Sequence, residues 1–248
     1  MKIAAISDIH GNLGALDAVL EDIGQQEVDL IVNLGDILSG ALQPAETADR
    51  LIALGLPTIR GNHERQVLTE NPLMMGASDL HAHRTLRPDQ LAWLASLPET
   101  LAIGPDVLLV HGTPSSDLVY FLEVLTASGL RAATPAEVAA LAGTTEAALI
   151  LCGHTHVPRV TRLTDGRTIV NPGSVGLQAY ESDYPYPHRV ENGDPSARYA
   201  IVTRTAEGWD VELRSVVYDW DAAADLALAN GRTDWSNALR WGYMDRPA

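Results

Sequence analysis

Five short polar clusters in this chain carry the side chains that bind transition metals. Each follows an apolar, strand-like run: Asp8-Ile9-His10, Gly35-Asp36, Asn62-His63, His111 and His154-Thr155-His156. In a parallel α/β sheet the ends that follow the strands gather along one edge, so we expect the clusters to converge. Together they supply two Asp, one Asn and five His, which are nitrogen and oxygen donors suited to divalent transition metals. The set exceeds the needs of one metal and suits a pair that shares a bridging carboxylate.

A pair of metals at such a site can carry out a phosphoryl displacement. Two ions roughly 3.5–4 Å apart stabilise both the attacking and the leaving oxygens of this reaction. We expect a water held between them to lose its proton near neutral pH and act as the nucleophile. The imidazole left over can donate a proton to the leaving oxygen, a role worth on the order of 10²–10⁴-fold in rate.

Strands and helices alternate over the residues that position the first clusters. Apolar runs predict strands over three stretches, Lys2–Ile6, 28–34 and 58–59. Apolar residues at helical spacing predict a helix after the first strand, with Asn12 as its N-cap. A second helix is predicted over Pro44–Leu54, since proline suits a first turn. This order predicts right-handed crossovers and a mostly parallel sheet.

The rest of the chain is less regular in its pattern. We predict a helix over 87–97, a loop over 71–78 and strands that end before His111 and Gly153. Residues 118–141 are predicted to be a helical pair, broken near Gly129, within an inserted cap at about 115–145 that covers the site. A loop is predicted over 180–195 and a strand pair over 199–203 and 211–218, followed by helix over 221–241. We expect one domain over 1–248, with the terminal strand pair and helix at about 199–243.

The overall charge limits the classes of partner that the protein can bind. Among 248 residues, 32 are Asp or Glu and 17 are Lys or Arg, for a net charge of −15. An acidic surface repels phosphate backbones and argues against stable nucleic-acid binding, although bound cations can reverse the local sign for a small phosphate substrate. The single cysteine, Cys152, allows no internal disulfide. The N-terminal apolar run is too short for a signal peptide and no later run is long enough to span a membrane, so we expect no membrane partner and a cytoplasmic location.

In order and approximate spacing, the five clusters resemble the signature blocks of the calcineurin-like metallophosphoesterases. The resemblance covers residues 8 to 156 and includes the stretch Gly61-Asn62-His63-Glu64. The turn over 171–176, which reads Asn-Pro-Gly-Ser-Val-Gly, resembles one in the small bacterial and archaeal phosphodiesterase branch.

The resemblance implies an α/β fold in which a sandwich of two sheets is flanked by helices, in four layers (αββα). It implies two metal-binding sets bridged by Asp36, namely Asp8, His10 and His156 for one metal and Asn62, His111 and His154 for the other. His63 would be the proton donor, and Arg60 would lie near the phosphoryl group. Manganese is the metal we expect, and Fe, Zn²⁺, Ni²⁺ and Co²⁺ accept the same ligands.

The chain departs from the phosphoprotein phosphatases of this superfamily after Asp36. Those enzymes continue with Asp-Arg-Gly at this block, whereas this chain continues with Ile37-Leu38-Ser39-Gly40. We therefore expect no carboxylate there to orient His63 and no arginine to grip a monoester. The departure favours a phosphodiesterase that acts on small diesters or nucleotides.

Two alternatives stay open. A phosphomonoesterase or a dinucleoside-polyphosphate hydrolase would use the same metals. A non-catalytic scaffold is known in this fold from a eukaryotic trafficking subunit that lacks a working metal site. Here every ligand position holds a competent donor, which argues against a scaffold. Metal content and EDTA-sensitive hydrolysis discriminate between the two classes.

Several other side chains have both a structural and a functional interpretation. Glu64 suits a helix start or a supporting group better than a metal ligand. His81, His83 and His188 fit solvated loops or substrate contacts, and the tyrosines near His188 could stack on a base. Four tryptophans fit core packing near the C-terminus or a homodimer surface, namely Trp209, Trp220, Trp235 and Trp241.

Overall fold

The computed structural model describes residues 1–245 and arranges them in mixed β-sheets flanked by helices. The strands are β1 (Lys2–Ile6), β2 (Leu30–Asn33), β3 (Leu101–Ile103), β4 (Val107–Leu109), β5 (Glu123–Thr126), β6 (Gly129–Ala132), β7 (Leu149–Leu151), β8 (Arg159–Arg162), β9 (Thr168–Asn171), β10 (Ala179–Ser182), β11 (His188–Glu191), β12 (Ala197–Arg204) and β13 (Trp209–Val216). The helices are α1 (Leu13–Gly24), α2 (Pro44–Leu54), α3 (Asn62–Thr69), α4 (Ala77–Thr85), α5 (Pro88–Ser96), α6 (Pro135–Ala142), α7 (Trp220–Ala229) and α8 (Thr233–Trp241).

Two sheets form the centre of the molecule. The first has the order β13-β12-β1-β2, and the second has the order β3-β4-β7-β9-β8. Parallel pairing is confined to β1 with β2 and to β4-β7-β9, and antiparallel strands complete both sheets. The predicted third strand is reduced to a parallel bridge between Asn33 and Thr58. The expected mostly parallel sheet is therefore correct only for the strands that carry the polar clusters.

The two sheets pack face to face and helices cover both outer faces. On β1, Ile3 and Ala5 belong to the core between the sheets, whereas Ala4 and Ile6 pack against the helical side with α1. This alternation is the period of two expected of a strand buried on both faces. On the far side, Ile150 of β7 packs with residues of α6. The αββα sandwich implied by the resemblance is confirmed.

The predicted helical insertion is wrong over its first half. Residues 123–132 form an antiparallel hairpin in which Leu125 lies opposite Leu130. Gly129 has a φ of +119°, a conformation that suits a turn and that few other residues adopt. β-Branched residues at 124 and 126 favour the strand as well. Only α6 is helical here, and Thr134 caps it by accepting a hydrogen bond from the Glu137 N–H at 3.3 Å.

Two segments predicted as loops contain regular structure. Residues 180–195 include the hairpin β10–β11, whose partners lie across a Pro- and Tyr-rich turn that hides the strand pattern. His81 and His83 lie on α4 and not on a solvated loop. Both side chains are half-buried, with a ring nitrogen 3.3 Å from the carbonyl oxygens of Leu42 and Val67 respectively.

The C-terminal elements agree with the prediction. β12 pairs with β13, and the helical segment is divided into α7 and α8. Trp209 and Trp235 are buried, which confirms core packing for these two, while the homodimer stays a prediction. The single domain over 1–248 also stays a prediction, and its residues 246–248 lie outside the described residues. Within residues 1–245, no helix has the length and apolar character needed to cross a membrane.

We predict that Asn12→Ala lowers the free energy of unfolding by about 2–3 kcal/mol. The buried Asn12 side chain caps α1 by accepting from the Ala15 N–H at 3.1 Å. Its amide also donates to the Gly176 carbonyl at 3.0 Å and to the Tyr218 hydroxyl at 3.1 Å. Urea denaturation measures the change.

The exposed cap of α6 provides the control. Thr134→Ala removes a cap without a buried network, so we expect a loss of about 1 kcal/mol. Equal losses for the two variants would contradict the contribution assigned to the buried amide of Asn12.

Candidate metal centre

The polar clusters leave their strands through strained backbone turns. Six non-glycine residues of the described chain have a positive φ, and five of them belong to the clusters, namely Asp8, His10, Asp36, His154 and His156. Such a conformation costs of order 1–3 kcal/mol and persists only where neighbours over-determine it. Here the turns are tied together by backbone hydrogen bonds, such as the one from the His10 N–H to the Asp36 carbonyl at 3.0 Å. Strain gathered at one place is typical of a functional site.

Asp8, His10 and His156 form the first donor group. All three are buried, and their ligand atoms lie within 4.8 Å of one another. The Nδ1 atoms of His10 and His156 each lie 2.7 Å from a backbone carbonyl, those of Ser39 and Leu177. Because a carbonyl only accepts, both Nδ1 atoms carry the hydrogen and both Nε2 atoms are free to bind a metal.

The distance between those two Nε2 atoms tests whether the group fits a cation. They lie only 3.1 Å apart, and His156 Nε2 is 3.5 Å from Asp8 Oδ1. Two nitrogen lone pairs and a carboxylate that face one another repel unless a positive charge lies between them. The arrangement therefore fits a divalent metal ion.

Asp36, His111 and His154 form the second donor group. His111 Nε2 lies 3.0 Å from Asp36 Oδ2 and 3.2 Å from Asn62 Oδ1, and its Nδ1 donates to the Leu34 carbonyl at 2.8 Å. His154 Nε2 lies 3.1 Å from the Leu118 carbonyl, so His154 offers Nδ1 instead. The His154 backbone N–H donates to the Asp8 carboxylate at 3.2 Å, which joins the two groups. The structure thus brings all seven predicted ligands together.

The charges of the buried donors agree with metal binding. Burial raises the pKa of Asp8 to about 7 and lowers the pKa of His10 to about 4 and that of His154 to about 3. Burial also opposes charge on His111 and Asp36, but each stabilises the other. The pKa of His111 rises to about 10 and that of Asp36 falls well below its usual range. A metal ion would displace the His111 proton, since ligands bind metals in the deprotonated form.

Glu64 stabilises the backbone next to the donor groups, which is the helix-start or supporting position that the sequence analysis favoured. Its buried carboxylate accepts three backbone N–H groups at 2.8 Å, those of Gly61, Asp36 and Ile37. It lies in the first turn of α3, where a negative charge also meets the helix dipole. The carboxylate therefore joins the end of β2 to the start of α3.

His63 is oriented by a carboxylate that the sequence analysis did not find. Its Nδ1 lies 2.7 Å from Asp79 Oδ1, which also accepts from the Ser39 hydroxyl at 2.6 Å. The segment after Asp36 holds no carboxylate, as expected, but Asp79 supplies one from another element. Asp79 comes from α4, in a segment whose local pattern indicated a loop. Burial opposes charge on His63, but Asp36 and Asp79 raise its pKa to about 9.

The structure does not bring Arg60 into the centre. Its guanidinium pairs with Glu99 at 2.6 Å, and its backbone N–H donates to the Pro98 carbonyl at 2.9 Å. Arg60 is not among the residues that line the cavity, so its predicted contact with a phosphoryl group stays a prediction without support from the lining. The guanidinium that lines the cavity is that of Arg232, which pairs with Asp234 at 2.6 Å. No local signal in the sequence indicated it.

A cavity of about 1190 Å³ opens over the two donor groups. Residues of both groups line it, together with Asn62 and His63. Its walls come from residues 116–125, from the hairpin β10–β11 and its turn, and from α8. The apolar and aromatic lining includes Leu118, Val119, Tyr120, Tyr180 and Trp235. Four carboxylates also line it, namely Glu123, Glu181, Asp183 and Asp234.

Comparisons with known proteins agree with this geometry. The model of the calcineurin-like phosphoesterase superfamily domain matches residues 1–187. An uncharacterized protein of Methanocaldococcus jannaschii is 29% identical over 244 residues, and the match covers 94% of each chain. A solved metallophosphoesterase from Sphaerobacter thermophilus has 28% identity and a TM-score of 0.75, covering 98% of this chain and 100% of that one.

We predict that Gly61→Ala weakens Mn²⁺ binding at least tenfold and lowers the free energy of unfolding by about 1–3 kcal/mol. A Cβ at this position would lie 2.2 Å from Asp36 Oδ1, so the carboxylate must move. Calorimetric titration with Mn²⁺ and urea denaturation measure the two effects.

Gly24→Ala is the matched control, because a Cβ there meets no atom within 4 Å. We expect unchanged Mn²⁺ binding for this variant. Unchanged Mn²⁺ affinity in Gly61→Ala would show that the position of Asp36 does not govern metal binding.

Proposed function

The chain belongs to the calcineurin-like phosphoesterase superfamily, and we propose that it is a binuclear metal-dependent hydrolase of phosphate esters that prefers phosphodiesters. One observation carries the proposal. Two His/Asp donor groups, buried except for the half-buried His154, converge on a single cavity that His63 also lines. A small phosphate ester or a nucleotide is the substrate class we propose.

Two divalent transition-metal ions are the proposed cofactors. Asp8, His10 and His156 would hold one ion, and Asn62, His111 and His154 the other, with Asp36 between them. When bound, the pair supplies Lewis acidity that activates water and withdraws charge from the phosphoryl oxygens. Manganese is the proposed metal, and Fe, Zn²⁺, Ni²⁺ and Co²⁺ suit the same donors.

His63 is the proposed proton donor to the leaving oxygen. Because its Nδ1 is held by Asp79, Nε2 is the ring nitrogen available to the cavity that the ring lines. Asp79 is in turn held by the Ser39 hydroxyl, so the imidazole is fixed in orientation before the substrate arrives. Fixed orientation is what a general acid requires.

The charge of the cavity supports a preference for diesters. A phosphomonoester carries close to two negative charges at neutral pH, whereas a diester carries one. Besides Asp36, four carboxylates line the cavity; Glu123, Glu181 and Asp234 are paired with Arg159, Arg189 and Arg232 respectively, and Asp183 adds a further negative charge. Like charges repel the dianion more strongly, so the monoanion is favoured. The volume of about 1190 Å³ also leaves room for an organic group on each side of the phosphorus.

Hydrolysis with Mn²⁺ tests the proposal. We expect kcat/KM for bis(4-nitrophenyl) phosphate to exceed that for 4-nitrophenyl phosphate by at least tenfold, with loss of activity in EDTA and recovery with Mn²⁺. Nucleotides, cyclic nucleotides and dinucleoside polyphosphates complete the screen. A monoester preference would contradict the diester assignment. A chain with neither bound metal nor hydrolysis would be a scaffold.

Asp36→Asn tests the metal centre itself. We expect this variant to lose at least 100-fold in kcat/KM and to bind fewer metal ions, measured by mass spectrometry of the metals. Asp17→Asn is the control, because Asp17 is a half-exposed carboxylate that pairs with Arg50 at the surface. Full activity and full metal content in Asp36→Asn would remove Asp36 from the centre.

We predict that Asp79→Asn lowers kcat about 10–100-fold with little change in KM, because it releases the orientation of His63. His63→Ala should cost about 10²–10⁴-fold, and more for leaving groups of high pKa. The double variant should be no slower than His63→Ala, since the two residues act as one unit. Additive losses in this cycle would place Asp79 in a separate role.

The remaining assignments stay predictions. We expect no stable nucleic-acid partner, no membrane partner and a cytoplasmic location, and a homodimer is the oligomeric form to test.

A further inference from the structure

Two tyrosines on the cavity walls and a neighbouring histidine form a hydrogen-bonded network that the proposed reaction does not use. Tyr120 precedes β5, Tyr180 lies on β10 and His188 lies on β11. The Tyr120 hydroxyl oxygen is 2.7 Å from that of Tyr180 and 2.8 Å from His188 Nε2. His188 Nδ1 is 2.8 Å from the backbone carbonyl of Tyr186.

The Tyr186 backbone carbonyl determines which group donates in each hydrogen bond of this network. Because it only accepts, His188 Nδ1 carries the hydrogen, and we assign Nε2 as the acceptor in this network. Tyr120 therefore donates to Nε2, and Tyr180 must donate to the Tyr120 oxygen. The Tyr120 hydrogen is held by the His188 nitrogen, whereas the Tyr180 hydrogen is held only by the Tyr120 phenol oxygen.

The two phenols lie beside the proposed metal ligands. The ring of Tyr120 packs edge-on against His154, with ring centres 5.0 Å apart, and Tyr180 packs in the same way against His156 at 4.8 Å. Each tyrosine thus contacts one donor group, and both line the cavity. A phosphoryl group held at the two groups would lie within reach of this wall.

We propose that the Tyr180 hydroxyl is a substrate-binding donor that gives its hydrogen bond to a non-bridging phosphoryl oxygen. This inference rests on the proposed function, which places the phosphoryl group at the two donor groups. An anionic oxygen is a stronger acceptor than a phenol oxygen, so the exchange is favourable. Tyr120 loses only an accepted bond in this exchange, because its own hydrogen remains with His188. Tyr120 and His188 are positioning residues.

The test uses the full chain loaded with Mn²⁺, and inorganic phosphate as the binding probe in calorimetry. We expect Tyr180→Phe to raise the Kd for phosphate about tenfold, the loss of one hydrogen bond to a charged group. KM for bis(4-nitrophenyl) phosphate should rise by a similar factor, with kcat changed less than about threefold, as for a uniform binding contact.

Two further variants separate binding from positioning. Tyr120→Phe should raise the phosphate Kd by a smaller factor, about threefold, and should shift the ¹⁵N resonances of His188 away from the Nδ1–H tautomer. Tyr186→Phe is the matched control, since it makes the same change on the same hairpin and Tyr186 is not among the cavity-lining residues. We expect its phosphate Kd to equal that of the wild type.

The possible outcomes distinguish this inference from the proposed function. A phosphate Kd within twofold of wild type in Tyr180→Phe, with a lower melting temperature, would make the tyrosine pair a structural latch and overturn the inference. Absence of phosphate binding by the Mn²⁺-loaded wild type would overturn it as well. If the wild type binds phosphate but hydrolyses no ester, the proposed function fails and the Tyr180→Phe comparison still decides the role of the hydroxyl.

Discussion

Three carboxylates buried side by side, those of Asp8, Asp36 and Glu64, set the constraint on which the rest of the centre depends. An ionised carboxylate in a protein interior costs several kcal/mol unless partners offset its lost hydration. Glu64 is offset by three backbone N–H groups, and Asp36 by His111 and by the backbone N–H of His63. Asp8 receives the His154 N–H. The protein itself supplies too little positive charge, and metal ions held as proposed by the two His/Asp groups would supply the rest.

The strained turns and glycines follow from the same constraint. Ligands that leave five different strand ends can meet at one point only if the backbone turns sharply, and the positive φ values at Asp8, Asp36 and three histidines are the result. Gly61 and Gly153 allow close approaches, because a Cβ would lie 2.2 Å from Asp36 Oδ1 at the first position and 2.0 Å from Ser7 Oγ at the second. The two packed sheets hold these turns rigidly. The two donor groups therefore lie on the sandwich itself. The other residues that line the cavity come mostly from later hairpins and helices.

The donor residues of the site were predictable from the sequence, whereas the side chains and segments around them were not. Donor residues that directly follow apolar runs indicated a common sheet edge, and all seven predicted ligands lie together there. Asp79 was missed because it reaches His63 from a helix whose sequence has no strong period. The position of Arg60 next to a motif did not indicate the orientation of its long side chain. The side chain pairs with Glu99, and Arg60 is not among the residues that line the cavity. The segment after Leu118 was predicted as helix because its apolar residues fit either period, and pairing across Gly129 decided for a hairpin.

The sequence by itself determined the donor types, their places at strand ends and the cap of α1 by Asn12, because each of these depends on residues close together along the chain. Together the donor clusters also indicated the class of reaction that we propose. Only the tertiary structure decided which carboxylate orients His63, which guanidinium lines the cavity and which phenols stand over the ligands. Those partners are joined across long sequence separations, such as the 60 residues between Tyr120 and Tyr180. These contacts form only when hairpins and helices pack against the two sheets. Such packing depends on the shapes of whole surfaces, which a local sequence pattern does not specify.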